Sequence, residues 1–151
     1  MEISGFYTDG ALILKQARKL GLNVPAMGTY ALYHPEFIRL GGDAVEGTFV
    51  STPFFPGDPR KVVADFVKRF RAKYNEDPSL YAAFAYDSMK LLAKAMEIAG
   101  ADNKSIRDAL AGFKDLPGVT GVITFDENGD RVPISMVTLQ VKGGKFELYK
   151  P

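Results

Sequence analysis

The chain has 151 residues, with 19 Lys and Arg against 18 Asp and Glu, one histidine and no cysteine. That length can bury a core of its own, and a net charge of +1 with interspersed signs offers none of the basic stripe that nucleic-acid binding needs. Without cysteine there are no disulfides, thiolate metal sites or cysteine nucleophiles, and no apolar run is long enough to span a bilayer.

Met1–Gly5 reads as the end of a strand. Phe6 and Tyr7 follow on a turn, and Thr8 or Asp9 is placed to cap the next helix by accepting a backbone N–H. In that helix Ala11, Leu12, Leu14, Ala17, Arg18 and Leu20 recur at helical spacing, and Gly21 ends it. "NVPAMG" is then a short buried strand. The order β-turn-α-turn-β is the unit of a parallel sheet. "HPEFIRLGG" predicts a short helix stopped by Gly41 and Gly42, and "EGTFVSTPF" a strand rich in β-branched and aromatic residues. "FFPGDPR" is a breaker segment suited to a linker or hinge. Asp58 is placed to cap the following helix, with Pro59 at its first position. Val62, Val63, Phe66, Val67 and Phe70 form its apolar stripe.

Pro78 separates it from a long helix, Leu80 to Ala99. This helix is apolar nearly all round at "YAAFAY", which calls for cover on several sides, and amphipathic through Met89, Leu92, Ala93 and Met96. Asn103–Phe113 predicts a third helix. "GVITF" and "ISMVTLQV" then flank "DENGD" as strands of a hairpin, and "VKGGKFEL" reads as a second tight hairpin.

"DENGD" (Asp126–Asp130) invites a calcium reading, but position 12 of such a loop must be a bidentate Glu and here it is Val137. An Asn-Gly turn explains it better. The pairs Gly41–Gly42 and Gly143–Gly144 lack the strand-to-helix context of a phosphate cradle. His34 precedes a proline and reads as a surface turn residue. No acid/base pair falls in a recognisable catalytic frame.

The aromatics remain. Phe6 and Tyr7 stand at the carboxyl end of one parallel strand, and Thr29 and Tyr30 at the end of the next. Ligands of open α/β sheets bind outside these ends. Two readings stay open: a ligand wall, or ordinary core under the first helix.

Taken in order, "SGFYTDGALILKQARKLGL", "GDAVEG", "AYDSMKLL" and "GVTGVITFDENGD" resemble the C-terminal portion of type I periplasmic solute-binding proteins of ABC importers, in the branched-chain amino-acid-binding class. The likeness runs through essentially the whole chain. It implies an α/β fold: a mostly parallel sheet with helices on both faces, one Rossmann-like half of a two-lobed receptor, plus a C-terminal hairpin. The chain would be a single α/β unit over 1–151. Residues 1–51 and 118–151 resemble the second lobe. Residues 54–112 resemble first-lobe helices, reached through a hinge crossing at "STPFFPGDP".

The resemblance implies a ligand site drawing on Phe6, Tyr7, Thr29, Tyr30 and Tyr81. Tyr30 falls where amino-acid binders often place a carboxylate for the ligand's ammonium group. The expected ligand is a small polar solute, an amino acid or amide, and the expected partner of the full-length protein is the membrane permease of an ABC importer. No enzymatic activity, cofactor, metal or nucleic acid is expected. The full-length relative would work in the periplasm or outside the cell. No signal peptide is visible here, so the chain made as it stands would stay cytoplasmic. The competing expectation is a truncated half that binds no solute and forms a homo-oligomer through exposed apolar surface.

Overall fold

In the computed structural model, which describes residues 1–132 and 135–150, the sheet begins with two very short strands, β1 (Glu2–Ile3) and β2 (Met27–Gly28). They run parallel, with Ile3 opposite Gly28. Between them lies α1 (Tyr7–Lys19), which turns Gly10, Ala11, Leu14 and Ala17 inward, the spacing of one helix face. Its N-cap is neither Thr8 nor Asp9 but Phe6, in extended conformation, and no side chain caps the helix. The Phe6 carbonyl already accepts from Gly10 N–H at 2.9 Å, so the first turn closes ahead of the polar residues. The "NVPAMG" stretch is less buried than its pattern suggested: within it only Ala26 and Gly28 are buried. Gly28 is required there by close approach. A Cβ would lie 2.3 Å from Leu32 Cδ1 and 2.7 Å from the Ile3 carbonyl oxygen.

After a 3-10 turn at Tyr30–Leu32 comes α2 (Pro35–Gly41). A second 3-10 turn, Gly42–Val45, leads into β3 (Phe49–Thr52), parallel to β2.

Beyond Pro53 the chain builds helices. Asp58 does not cap the first of them. Its carboxylate accepts from the Arg60 backbone N–H at 2.9 Å and pairs with the Arg60 guanidinium at 2.9 Å. The N-cap is therefore Arg60, Pro59 stays outside, and α3 runs Lys61–Tyr74 with Val63, Phe66 and Val67 buried. The next helix, α4 (Leu80–Ala99), has the predicted bounds, and Ser79 Oγ accepts from Ala82 N–H at 3.2 Å. It is not covered all round. Leu80, Ala83, Asp87 and Ala95 are buried, whereas Tyr81, Ala85, Met89, Leu92 and Met96 are exposed. Asp102 caps α5 (Asn103–Ala111), accepting from Ser105 N–H at 2.8 Å. The helix stops two residues short of Phe113.

Strands β4 (Leu116–Gly118) and β5 (Gly121–Ile123) then pair with each other, antiparallel. This corrects the expectation that "GVITF" pairs across "DENGD" with "ISMVTLQV". The Asp126–Asp130 turn exists, closed by Asp126 N–H on the Asp130 carbonyl at 2.9 Å. Its flanks meet at an isolated bridge between Phe125 and Arg131. Ile134, where the second of those strands was to open, lies outside the described residues, as does Pro133.

The last strands, β6 (Val137–Lys142) and β7 (Lys145–Leu148), form the expected hairpin around Gly143–Gly144 and complete a five-stranded sheet in the order β1-β2-β3-β6-β7. The fold is α/β: three parallel strands, continued by an antiparallel hairpin. Its core joins Ile3, Ala11, Leu14, Leu32, Phe37, Val45, Val50 and Val141, which places α1 and α2 on the same face of the sheet. The opposite face carries Met27, about half exposed, and Phe49, whose ring meets Tyr149 edge-on at 5.1 Å.

Two compact units result: Met1–Thr52 with Met136–Pro151, and Pro53–Ser135. Val119 and Thr120 fall in the second of these units, with the helices. Hydrogen bonds from Val119 and Thr120 to Asp87 on α4 hold them there.

Candidate functional site

The adjacent carboxyl ends of β1 and β2 present the side chains the pattern singled out. Phe6 stands three residues past Ile3 and is 63% exposed; Tyr30 stands two past Gly28 and is 43% exposed. A ring left this open contributes little to the core, so of the two readings of Phe6 the core one does not hold. Thr29, also exposed, caps the 3-10 turn by accepting from Ala31 N–H at 3.4 Å. Its hydroxyl proton remains available to an acceptor.

Tyr7 parts company with Phe6. It is half-buried, packs against the core cluster and stacks on His34 with ring centroids 4.2 Å apart. His34 is no bare surface turn residue. It is half-buried and is the N-cap of α2, its Nδ1 accepting from Glu36 N–H at 3.1 Å. That bond requires an unprotonated Nδ1, which commits the imidazole to structure. Beside it, hydrogen bonds from the Arg39 guanidinium hold the Glu36 carboxyl below its ordinary range. Tyr7 and His34 together form a stiff backing from which the Phe6 turn projects.

Tyr81 belongs to the other unit. It is the second residue of α4 and is half exposed. In the same unit the sequence reading missed two clusters. Phe66, Phe70, Tyr74 and Tyr86 line an apolar groove between α3 and α4 of about 530 Å³. Arg69 reaches the Tyr86 hydroxyl there at 2.7 Å. The spacing of Phe66, Phe70 and Tyr74, four residues apart on one helix face, was the signal for it. The second cluster centres on Asp87, 5% exposed, which accepts from Val119 N–H, Thr120 N–H and the Thr120 hydroxyl at 2.9, 2.9 and 2.6 Å. Nothing in local sequence marks a carboxylate that finds its partners more than 30 residues away.

At the β1–β2 edge the described groups are rings and hydroxyls. They suit stacking and hydrogen bonding. Among the described residues no cluster of three or more His, Cys, Asp or Glu is arranged to hold a metal, and no helix is long and apolar enough to cross a membrane.

Comparison with known proteins converges on one kind of molecule. Residues 3–145 match the family described as periplasmic binding protein. The leucine-, isoleucine-, valine-, threonine- and alanine-binding protein of Pseudomonas aeruginosa is 35% identical over 130 residues, 83% of this chain and 34% of that protein. Among solved structures, a leucine-binding protein from Thermotoga maritima superposes with a TM-score of 0.89 at 34% identity, over 99% of this chain and 43% of its own. A branched-chain amino acid transporter substrate-binding protein from Streptococcus pneumoniae, in complex with isoleucine, gives 0.85 at 31% identity, over 99% and 44%. By name these relatives are binding proteins rather than enzymes, and the one from Streptococcus pneumoniae is the substrate-binding protein of a transporter. The chain spans between a third and a half of their length.

Proposed function

Because this chain belongs to the periplasmic binding protein family, we propose that it is the part of an ABC-importer solute receptor that supplies one wall of the ligand cleft. The observation that carries the reading is the exposed Phe6 ring beside Thr29 and Tyr30, at the level of a parallel sheet where α/β proteins bind ligands. In this reading the unit Met1–Thr52 with Met136–Pro151 serves as the second lobe, and Pro53–Ser135 carries the helices of the first, Tyr81 included. The solute is an amino acid or an amide; the names of the relatives, which give leucine, isoleucine and valine, favour a branched-chain amino acid. Phe6 packs on its apolar part, and Thr29 and Tyr30 offer hydroxyls to its polar end. The full-length receptor acts outside the cytoplasmic membrane and hands solute to a permease.

Thermal unfolding with added leucine, isoleucine, valine or isovaleramide tests this. A ligand at 100-fold its Kd that binds only the folded chain stabilises it by about 2.7 kcal/mol, a shift of several degrees. Phe6→Ala should abolish that shift while leaving the unliganded melt almost unchanged. No shift at millimolar concentration with any of the four would overturn the reading for this chain.

A second reading has its own observation. On α4 the exposed Tyr81, Ala85, Met89, Leu92 and Met96 follow one another at intervals of four, four, three and four. This is a continuous apolar stripe without cover. Exposed apolar surface costs about 25 cal/mol per Å², and a second copy laid on the stripe removes that cost. Light scattering across the micromolar range decides: a dimer supports this reading, and a concentration-independent monomer ends it.

A further inference from the structure

The segment Gly118–Gly121 wraps the buried carboxylate of Asp87. Gly118 has no room for a side chain, since a Cβ would lie 2.7 Å from Asp87 Oδ2, and Gly121 sits at φ +106°, a conformation open to glycine. Between them Val119 and Thr120 are fully buried. Each gives its backbone N–H to one oxygen of Asp87, and the Thr120 hydroxyl donates as well. The helix thereby fixes the loop with three bonds to one ionised group, the strong class of hydrogen bond.

Two arginines then grip the outside of the loop. Arg60 donates to the Val119 carbonyl at 3.2 Å. Arg131 donates to Thr120 Oγ1 at 2.7 Å and to the carbonyls of Thr120 and Val122 at 2.8 and 3.1 Å. The chain passes between its two units twice, at Thr52–Pro53 and at Ser135–Met136. Arg60 lies just after the first passage and Arg131 just before the second. They are far apart in sequence, yet they hold neighbouring residues of one loop.

We infer that the Val119–Thr120 loop, pinned by Asp87, is a clamp that couples the two chain passages, so that the Pro53-side and Ser135-side arms loosen and shift together. The coupling runs from Arg131 through Thr120 and Val119 to Arg60, without a direct contact between the arginines being required. It does not depend on which solute is bound, or on whether one is.

Hydrogen exchange of the whole chain tests it, because both arms carry bonded reporter amides. On the first arm Asp58 N–H bonds the Phe55 carbonyl and Arg60 N–H bonds Asp58. In the clamp the reporters are Val119 and Thr120 N–H, and on the second arm Val132 N–H, which bonds the Thr124 carbonyl. Arg131→Met, which removes bonds to Thr120 and Val122 and leaves the Arg60 bond to Val119 in place, should speed exchange at Asp58 and Arg60 about tenfold or more, by a factor similar to that at Val119 and Thr120. Amides of Leu14 and Val50 should not change. Acceleration confined to residues 119–132 would overturn the inference. Should the variant fail to fold by circular dichroism, the wild-type chain in rising sub-denaturing urea answers the same question. The five reporters should merge onto one opening curve, and a separate, earlier opening of Asp58 and Arg60 would show that the arms are independent.

Discussion

At the scale of single residues, adjacent aromatics took opposite parts. Phe6 is the extended cap of α1 and Tyr7 its first helical residue, so one ring swings out and the other under. We expect Phe6→Ala to change the unfolding free energy by less than about 1 kcal/mol. Tyr7→Ala removes the stack on His34 and should cost about 2–3 kcal/mol, short of a fully buried aromatic; urea titration of both variants checks the contrast. Gly28→Ala should cost about 1–3 kcal/mol, because the Ile3 carbonyl that its Cβ would strike is backbone and cannot rotate away. Tyr30→Glu places an anion at the strand end and should favour leucine over isovaleramide in ligand-shift melts; an unchanged preference would remove Tyr30 from the site. Pattern alone placed Phe6, Thr29 and Tyr30 at the correct strand ends. It could not separate Phe6 from Tyr7, because a two-residue turn has neither the period of a strand nor that of a helix. His34 was legible as a turn into a helix, which it caps, but not as a half-buried residue, because its partner ring, Tyr7, is brought in by the fold.

At the scale of elements, legibility followed length. The 20-residue α4 was readable to its ends, although its cap was not singled out; Ser79 supplies it, and Ser79→Ala should lower stability by about 1 kcal/mol. Two-residue β2 and the three-residue pair β4–β5 carry too few side chains to show a period, so "GVITF" was joined to the wrong partner. At α3 the capping logic named Asp58, a proper cap residue, but Arg60 competes for it. Burial alone would raise the Asp58 carboxyl; hydrogen bonds from the Arg60 side chain and backbone bring it below its ordinary value. The Asp102 cap is likewise lowered, by the Ser105 N–H and hydroxyl. Both are depressed in the folded state. Their stabilisation is therefore complete above the unfolded carboxylate value of about 3.9 and is lost as pH falls through the lower folded values. Melting temperature should drop below about pH 4, and Asp58→Asn with Asp102→Asn should flatten that drop.

At the scale of the whole molecule, the sequence showed the alternation that makes an α/β sheet and the breaker run around Pro56 where the chain leaves it. It did not show the tie between α4 and the Val119–Thr120 loop, because that tie is one buried carboxylate that recruits a distant segment. Burial lowers the Arg131 pKa in that cluster and the Asp87 charge opposes the fall, so removing Asp87 would leave the part-buried Arg131 guanidinium without the charge that offsets its desolvation. The uncovered face of α4 has a chemical consequence as well. It carries two thioethers, Met89 at 63% and Met96 at 45% exposed, while Met27 and Met136, at 49% and 44%, lie elsewhere. Peroxide converts accessible methionine to the polar sulfoxide. In a lone chain all four should oxidise at similar rates, and each sulfoxide on α4 would make the stripe less greasy. Whatever covers the stripe would shield Met89 and Met96 alone, so peptide mass spectrometry after brief oxidation would read the state of that surface from sulfur chemistry.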